Sequence, residues 1–179
     1  MPGMLSLWVT LAVLAAVVLL VRSLARARPR LRALRERQEW QASREADREA
    51  ARAVLARPRD EWPFLDRLPK GFQHGPAYYA ARCTLLEEEP EGRGFIARGQ
   101  GWLVICPDRL CYHAESGEAP SFAIAMETIE RVDSPYVNVL EVIEQHPETR
   151  VWSSHFFRLH RPLVAAAYLS RLAGFELIL

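Results

Sequence analysis

Three residues that could bind a metal ion fall within one short segment of this chain. Cys106, Cys111 and His113 lie close together in sequence, and Cys83 or His74 could supply a fourth ligand. Structural zinc is held by four such groups at bond lengths of about 2.0–2.3 Å. The Cys-x4-Cys spacing is not that of a zinc knuckle, and on a hairpin these cysteines are diagonal neighbours, about 7 Å apart at the backbone. We therefore expect no metal, and cysteines that pack as small apolar side chains.

The same residues raise the question of nucleophilic catalysis. Cys111 and His113 lie two positions apart, a spacing on one strand that does not reliably bring a ring nitrogen to the sulfur. No glycine-rich turn nearby could stabilise an oxyanion, and the sequence contains no phosphate-binding loop, dinucleotide fingerprint or paired-carboxylate motif. His155 and His160 fit ordinary, partly exposed positions. We expect no catalytic residue and no cofactor, so the protein is not predicted to be an enzyme.

Two strands joined by a tight turn must position these side chains. The segment from Gly101 to His113 reads GWLVICPDRLCYH. A two-residue turn at Pro107-Asp108 would pair Ile105 with Leu110 and Leu103 with Tyr112. Because side chains alternate along a strand, one face of the hairpin is wholly apolar and is predicted to face the core: Leu103, Ile105, Leu110 and Tyr112. The opposite face carries Trp102, Val104, Cys106, Arg109, Cys111 and His113.

Short apolar runs separated by turn residues extend this pattern into an antiparallel β domain. The predicted strands are Tyr78–Leu86, Gly94–Arg98, Gly101–Cys106, Arg109–His113, Ser121–Ala125, Tyr136–Glu144 and Arg150–Leu159. Pro162 then opens a helix, Leu163 to Leu172, which ends at Gly174. Apolar residues recur three and four positions apart along this helix, which predicts one buried face.

The order of these elements resembles the GRAM and pleckstrin-homology-like domains, including their bacterial forms. The matching pattern is Gly101-Trp-Leu-Val-Ile-Cys-Pro-Asp-Arg109-Leu-Cys-Tyr112, followed by Phe122-Ala-Ile-Ala and by Ile129-Glu-Arg-Val132. The resemblance covers roughly residues 78 to 175. It implies an α+β fold in which a strongly bent, seven-stranded antiparallel barrel or sandwich is capped by the C-terminal helix. It also implies a role in binding or docking rather than in catalysis.

One loop departs from the pattern of the lipid-binding relatives. Those proteins place basic residues between the first two strands, where they meet inositol phosphates. Here the loop reads Glu87-Glu-Glu-Pro-Glu-Gly-Arg93, with four carboxylates and one arginine. Because such a charge repels phosphate, we expect no specific phosphoinositide binding through this loop.

The N-terminal segment has the character of a membrane anchor. Residues 5 to 21 carry no charge, and residues 4 to 24 match the roughly twenty residues that cross a ~30 Å hydrocarbon core. Arginine next to a span tends to stay cytoplasmic. We therefore predict a single-pass anchor at residues 1–24 in the cell membrane, with the N-terminus outside and the globular domain in the cytoplasm. A cleaved signal peptide is the alternative, but the neutral N-terminal residues and the long apolar run favour the anchor.

Charge is unevenly distributed along the rest of the chain. Residues 22–57 hold eleven arginines and five carboxylates, a net charge of +6, whereas residues 58–179 have a net charge of −5. This distribution argues against nucleic acid as a partner of the globular part. It suits attraction to anionic lipid, worth about 1 kcal/mol per close basic residue. The predicted lipid contacts are Arg22, Arg26, Arg28, Arg30, Arg32, Arg35 and Arg37.

Two segments link the anchor to the domain. Residues 25–57 form an arginine-rich juxtamembrane segment, helical from Pro29 to Arg57, whose sparse apolar positions favour a solvated stalk over a coiled coil. Residues 58–76 form a connector, in which four prolines prevent regular structure. The connector is too apolar for a free linker, so we expect these residues to pack on the domain at residues 77–179: Trp62, Phe64, Leu65, Leu68 and Phe72.

These features favour a non-enzymatic, membrane-anchored module that docks an unidentified protein or a membrane surface. The alternative is a structural subunit of a membrane assembly, held together by its transmembrane and juxtamembrane helices, in which this chain could form a homo-oligomer. Removing residues 1–57 should abolish the oligomeric state of such a subunit, whereas a docking module should keep its partner.

The anchor leads to a first prediction, that residues 4–24 remain in the mature protein and that the C-terminal domain faces the cytoplasm. The asymmetry of arginine across the span is the physical reason. In sealed right-side-out vesicles, added protease should leave a C-terminal tag intact until detergent is added. A tag that is digested in intact vesicles, or a mature chain that starts near Arg28, would contradict the prediction.

Overall fold

The structure is a computed structural model, and it describes residues 37–179 except residues 91, 93, 116 and 118. The predicted anchor and all of the predicted lipid-contacting arginines except Arg37 lie outside the described residues. Within the described residues, no helix combines the length and the apolar character that a membrane span requires. Residues Arg44–Leu179 form one compact unit, which contains the sheet, the connector and the C-terminal helix.

Seven antiparallel strands form one sheet in the order β4-β3-β2-β1-β7-β6-β5. The strands are β1 (Tyr79–Glu88), β2 (Phe95–Ile105), β3 (Arg109–Ala114), β4 (Phe122–Ala125), β5 (Ile129–Tyr136), β6 (Val139–Gln145) and β7 (Trp152–Leu159). Helix α1 runs through residues 37–56, and helix α2 (Pro162–Ala173) follows β7. Short 3-10 helices lie at Arg59–Glu61 and Met126–Thr128. The predicted seven-stranded antiparallel fold with a C-terminal helix is confirmed.

The predicted break between the second and third strands was wrong. A single strand, β2, runs from Phe95 to Ile105 through Gly99 and Gly101. A Cβ atom on Gly101 would lie 2.8 Å from the ring of Tyr112, and a Cβ atom on Gly99 would lie 3.1 Å from the Tyr112 hydroxyl. These glycines therefore make room for an aromatic ring from the neighbouring strand and do not end the strand.

Strand β5 was missed, and Tyr136, predicted to open the next strand, instead ends β5. The sequence of β5 is IERVDSPY, in which charged residues and a proline alternate with the buried Ile129 and Val132. Such residues are unfavourable inside a sheet but common on an edge strand, where they discourage pairing with other chains. As β5 is the outermost strand on its side of the sheet, its composition follows from its position.

The predicted hairpin forms in the predicted register. Leu103 pairs with Tyr112 and Ile105 with Leu110, and the Cys106 N–H donates to the Arg109 carbonyl at 2.9 Å across the two-residue turn. All four residues of the predicted core face are buried in the main core. Helix α2 packs on β5 and β6 and adds Ala165, Ala166 and Leu169 to the same core.

The opposite face of this hairpin is buried as well. Val104, Cys106 and Cys111 form a second apolar cluster with Ala77 and with Phe72 of the connector. The connector therefore packs on the sheet, as predicted, on the face opposite the main core. Its two most buried large residues are Trp62 and Phe72, whereas Phe64 and Leu65 remain exposed.

The expectation of a solvated stalk was wrong for residues 44–56 of α1. Ala51 is fully buried against Leu163 and Ala167 of α2, with Val54 and Leu55 packed beside them. The compact unit begins at Arg44, so it includes this part of α1 together with the connector. The hydrophobic periodicity of the sequence did not indicate this contact, because the side chain of Ala51 is small and adds little to the apolar face of α1.

A carboxylate from α1 caps the start of α2. Asp47 is 5% exposed, and its two oxygens accept hydrogen bonds from the backbone N–H groups of Leu163 and Val164 at 3.0 and 3.3 Å. The N-cap residue of α2 is Arg161, and its side chain makes no capping hydrogen bond within the described part of the chain. Asp47 therefore satisfies two of the N–H groups that every helix leaves unpaired, at the end where the helix dipole favours negative charge.

Candidate functional site

The hairpin cysteines are buried, and they contact each other rather than an external ligand. Cys106 and Cys111 are free thiols in the second apolar cluster, whereas Cys83 lies in the main core. The structure therefore does not bring Cys83 to the other two cysteines. In the described part of the chain, no three or more His, Cys, Asp or Glu side chains are grouped so that they could hold a metal ion.

Burial and a mutual hydrogen bond shift the pKa values of the three thiols in different directions. Burial raises the pKa of Cys83 to about 12. The thiol of Cys106 donates a hydrogen bond to the sulfur of Cys111, which, together with burial, raises the pKa of Cys106. The same hydrogen bond lowers the pKa of Cys111, whose side chain is 2% exposed and packs beside Phe72 of the connector.

The histidines near these cysteines have structural partners. The Nε2 atom of His113 lies 3.2 Å from the Lys70 carbonyl oxygen, so His113 fastens the connector turn that ends in Phe72. The ring of His74 lies against Phe72, with centroids 5.3 Å apart. His155 pairs with Glu144 at 2.8 Å. Among the described residues, none of these contacts joins a histidine to a cysteine.

The acidic loop and the arginine segment are described only in part. Glu87 forms an ion pair with Arg98 of β2. The hydrogen bond that Arg98 donates within this pair lowers the pKa of the Glu87 carboxyl group. Glu91 and Arg93 of the same loop lie outside the described residues. Arg37 is exposed at the start of the described helix. The predicted contact with anionic lipid stays a prediction.

Two adjoining cavities follow the outer face of β4. The larger has a volume of about 720 Å³ and is lined by Arg59, Pro107, Asp108, Arg109, Ala123, Ala125, Met126, Glu127, Leu172 and Ala173. The smaller has a volume of about 240 Å³ and is lined by Phe72, His74, Cys111, Tyr112, His113, Ser121, Phe122 and Ala123. They lie on either side of Ala123, which lines both, and we call them together the β4 groove.

The edge of β4 is open to another strand. Leu110 and Tyr112 of β3 pair with Ile124 and Phe122 of β4, and the ladder continues with the Met126 N–H, which donates to the Asp108 carbonyl at 2.8 Å. Hydrogen-bonded pairs alternate along an antiparallel ladder. The backbone N–H and C=O groups of Ala123 therefore point away from β3, towards the side on which no described strand pairs with β4.

The β4 groove carries little net charge. Arg109 donates to Asp108 at 2.6 Å, and this guanidinium holds the pKa of the Asp108 carboxyl group below its usual range. Arg59 donates to the Pro107 carbonyl at 3.4 Å, and Glu127 adds one negative charge to the lining. Two arginines and two carboxylates balance, so the groove does not favour a polyanion.

Sequence reasoning did not single out this groove. The sequence analysis predicted a strand at Ser121–Ala125 and matched Phe122-Ala-Ile-Ala to the related domains, but it assigned this strand no binding role. The sequence signal that could have indicated the groove is an alanine at every second position of this strand. Ala123 and Ala125 are exposed, whereas Ile124 between them is buried. An exposed strand face without charge or bulk is unusual for an edge.

Comparisons with known proteins give no family for the chain. No family model matches it, and no curated protein is significantly similar to it. Matching solved structures include the solution structure of the N-terminal PH domain of the human ARAP2 protein, at 16% identity and a TM-score of 0.41, covering 54% of this chain and 78% of that one. They also include the crystal structure of the Ran-binding domain of the nuclear complex component Nup2 from Ashbya gossypii, at 14% identity and a TM-score of 0.37, covering 53% and 94%. These likenesses are too distant to carry an argument about function.

The burial of the cysteines leads to a second prediction. In the folded chain at pH 8, iodoacetamide should leave all three cysteines unmodified for times in which it alkylates them completely in denaturant. The reason is that the thiols are covered and that burial keeps Cys83 protonated, with its pKa raised to about 12. Mass spectrometry of the intact chain gives the count. Reaction of Cys106 or Cys111 in the folded chain as fast as a free thiol would show that the connector does not cover the sheet, and equally fast reaction of Cys83 would show that the main core is open.

Proposed function

We propose that this protein is a non-enzymatic docking module at the cytoplasmic face of the cell membrane, and that it binds an extended segment of a partner protein along β4. The observation that carries the proposal is the open edge of β4 between two cavities. An extended peptide that adds to a sheet edge gains affinity from main-chain hydrogen bonds and specificity from pockets for alternate side chains.

The groove has the parts that strand addition requires. The N–H and C=O groups of Ala123 supply the main-chain hydrogen bonds, and the methyl groups of Ala123 and Ala125 leave space beside the strand. Residues two apart on an added strand would direct their side chains into the two cavities. The smaller cavity is lined by Phe72 and Phe122, which suits an apolar or aromatic side chain.

The two edges of the sheet differ in a way that favours β4. The outermost strand on the other side, β5, carries Glu130, Arg131, Asp133 and Pro135. These charges and the proline discourage the addition of a strand. Strand β4 carries no charged residue and no proline, so of the two edges only β4 lacks this protection.

The membrane part of the proposal rests on the sequence. Residues 4–24 and the arginines that follow them support an anchor with the domain in the cytoplasm, and the balanced charge of the β4 groove supports a protein segment rather than an anionic headgroup as its ligand. The domain would then present the groove to partners at the membrane.

Two substitutions in β4 test the groove, after peptides that bind the full chain have been selected from a random library. Ala123→Pro removes the outward N–H and leaves the ladder to β3 intact, because the Ala123 N–H does not point towards β3. Ala125→Arg places a long charged side chain in the larger cavity. Each should weaken the binding of the selected peptides by about tenfold or more, equivalent to roughly 1.4 kcal/mol. Ala97→Arg, at an exposed alanine of β2 outside the groove, is the matched control and should leave affinity unchanged.

Hydrogen exchange supplies an independent readout. The Ala123 amide should exchange more slowly when a selected peptide is bound, because it becomes a ladder donor, and circular dichroism should show that both variants fold. Selected peptides that bind all variants equally, or that leave the Ala123 amide unprotected, would count against strand addition at β4.

A further inference from the structure

A second pocket, separate from the β4 groove, lies where β1, β2 and β7 meet the turn between β5 and β6. It has a volume of about 300 Å³, and its polar lining consists of Arg82, Thr84, Gln100, Asn138, Arg158 and His160. We propose that this basic pocket binds the phosphate monoester group of a small ligand. The proposal does not depend on the function proposed for the β4 groove.

The sheet holds the donors of the basic pocket in place. Arg158 of β7 lies between Thr84 of β1 and Val139 of β6, and because its neighbour Phe157 is fully buried, Arg158 points outward. The Thr84 hydroxyl donates to the Oε1 atom of Gln100 at 3.1 Å. The NH2 group of Gln100 is then left as a donor for a ligand.

The turn between β5 and β6 completes the basic pocket. The Leu159 N–H donates to the Asn138 carbonyl oxygen at 2.9 Å, which fixes this turn against the end of β7. His160 follows Leu159 directly and lines the same pocket. The pocket therefore combines two guanidinium groups, an imidazole, a hydroxyl and two amides on a rigid part of the sheet.

Charge sets the basic pocket apart from its surroundings. Residues 58–179 have a net charge of −5, yet no carboxylate is among the described residues that line this pocket. Arg82 pairs with Glu115, which accepts hydrogen bonds from Arg82 at 3.0 Å and from the indole N–H of Trp102 at 2.8 Å. The charge of His160 interacts with the Asp47 carboxyl group of α1. In the described part of the chain, Arg158 and His160 form no ion pair, so Arg158 is the principal cationic donor that the pocket offers to a ligand.

A phosphate monoester fits this set of donors. Its oxygens accept several charge-assisted hydrogen bonds at once, and guanidinium groups match the geometry of phosphate. A volume of about 300 Å³ lies at the lower end of ligand pockets, so it suits a phosphate on a small organic group rather than a polymer. The same group occurs in soluble metabolites and in the headgroup of phosphatidic acid, and the experiment distinguishes these two sources.

The test follows the Arg158 Nε–H and His160 ring signals by NMR in the full chain. In detergent micelles, the chain is titrated with inorganic phosphate and with glycerol 3-phosphate at constant ionic strength. In bilayer nanodiscs, the same signals are compared between phosphatidylcholine containing phosphatidic acid and phosphatidylcholine containing phosphatidylserine. The variants are Arg158→Gln and His160→Gln, and the matched control is Arg67→Gln, which removes an exposed arginine of the connector.

Binding in the basic pocket predicts saturable shifts of both signals. The affinity, followed on the His160 signals in Arg158→Gln and on the Arg158 signal in His160→Gln, should fall by about tenfold or more in each variant, and it should be unchanged in Arg67→Gln. Shifts with the soluble phosphates alone assign a metabolite as the source, and shifts with phosphatidic acid but not phosphatidylserine assign the lipid. The proposal is overturned if no arm shifts these signals, if phosphatidylserine acts like phosphatidic acid, or if Arg67→Gln weakens binding as much as Arg158→Gln.

Discussion

Both faces of the β2–β3 hairpin carry buried apolar side chains, and the rest of the domain covers them. The main core covers Leu103 and Tyr112 on one side, and the connector covers Val104 and Cys111 on the other. Because buried apolar surface stabilises by roughly 25 cal/mol per Å², the connector is held on the sheet even though its regular structure is limited to the 3-10 helix Arg59–Glu61. Phe72, placed in this way, becomes a wall of the β4 groove, so the candidate binding site depends on the covering of the second face.

Local patterns were sufficient for part of the fold. The register of the hairpin, its core face and the end of α2 at Gly174 follow from alternation, turn residues and helix periodicity within short stretches, and the structure confirms them. The errors have distant causes. The glycines of β2 accommodate the ring of Tyr112 from another strand, and Asp47 caps α2 through the N–H of Leu163, 116 residues further along the chain. The β4 groove joins Arg59, Ala123 and Leu172, which no local pattern connects.

The two candidate sites divide the chemistry of the surface between them. The β4 groove is close to neutral and offers backbone hydrogen bonds beside small side chains, which suits an extended protein segment. The basic pocket is smaller and offers cationic donors around Arg158, which suits one phosphate group.

The free energy of unfolding of two connector variants tests most directly whether the connector covers the second face of the sheet. Phe72 is 8% exposed and Phe64 is 50% exposed, so they form a matched pair in the same segment. Phe72→Ala should cost about 3–5 kcal/mol, as for a core phenylalanine, whereas Phe64→Ala, which removes a stacking contact with Tyr78, should cost about 1 kcal/mol. Equal and small losses for the two variants would show that the connector is not part of the folded domain.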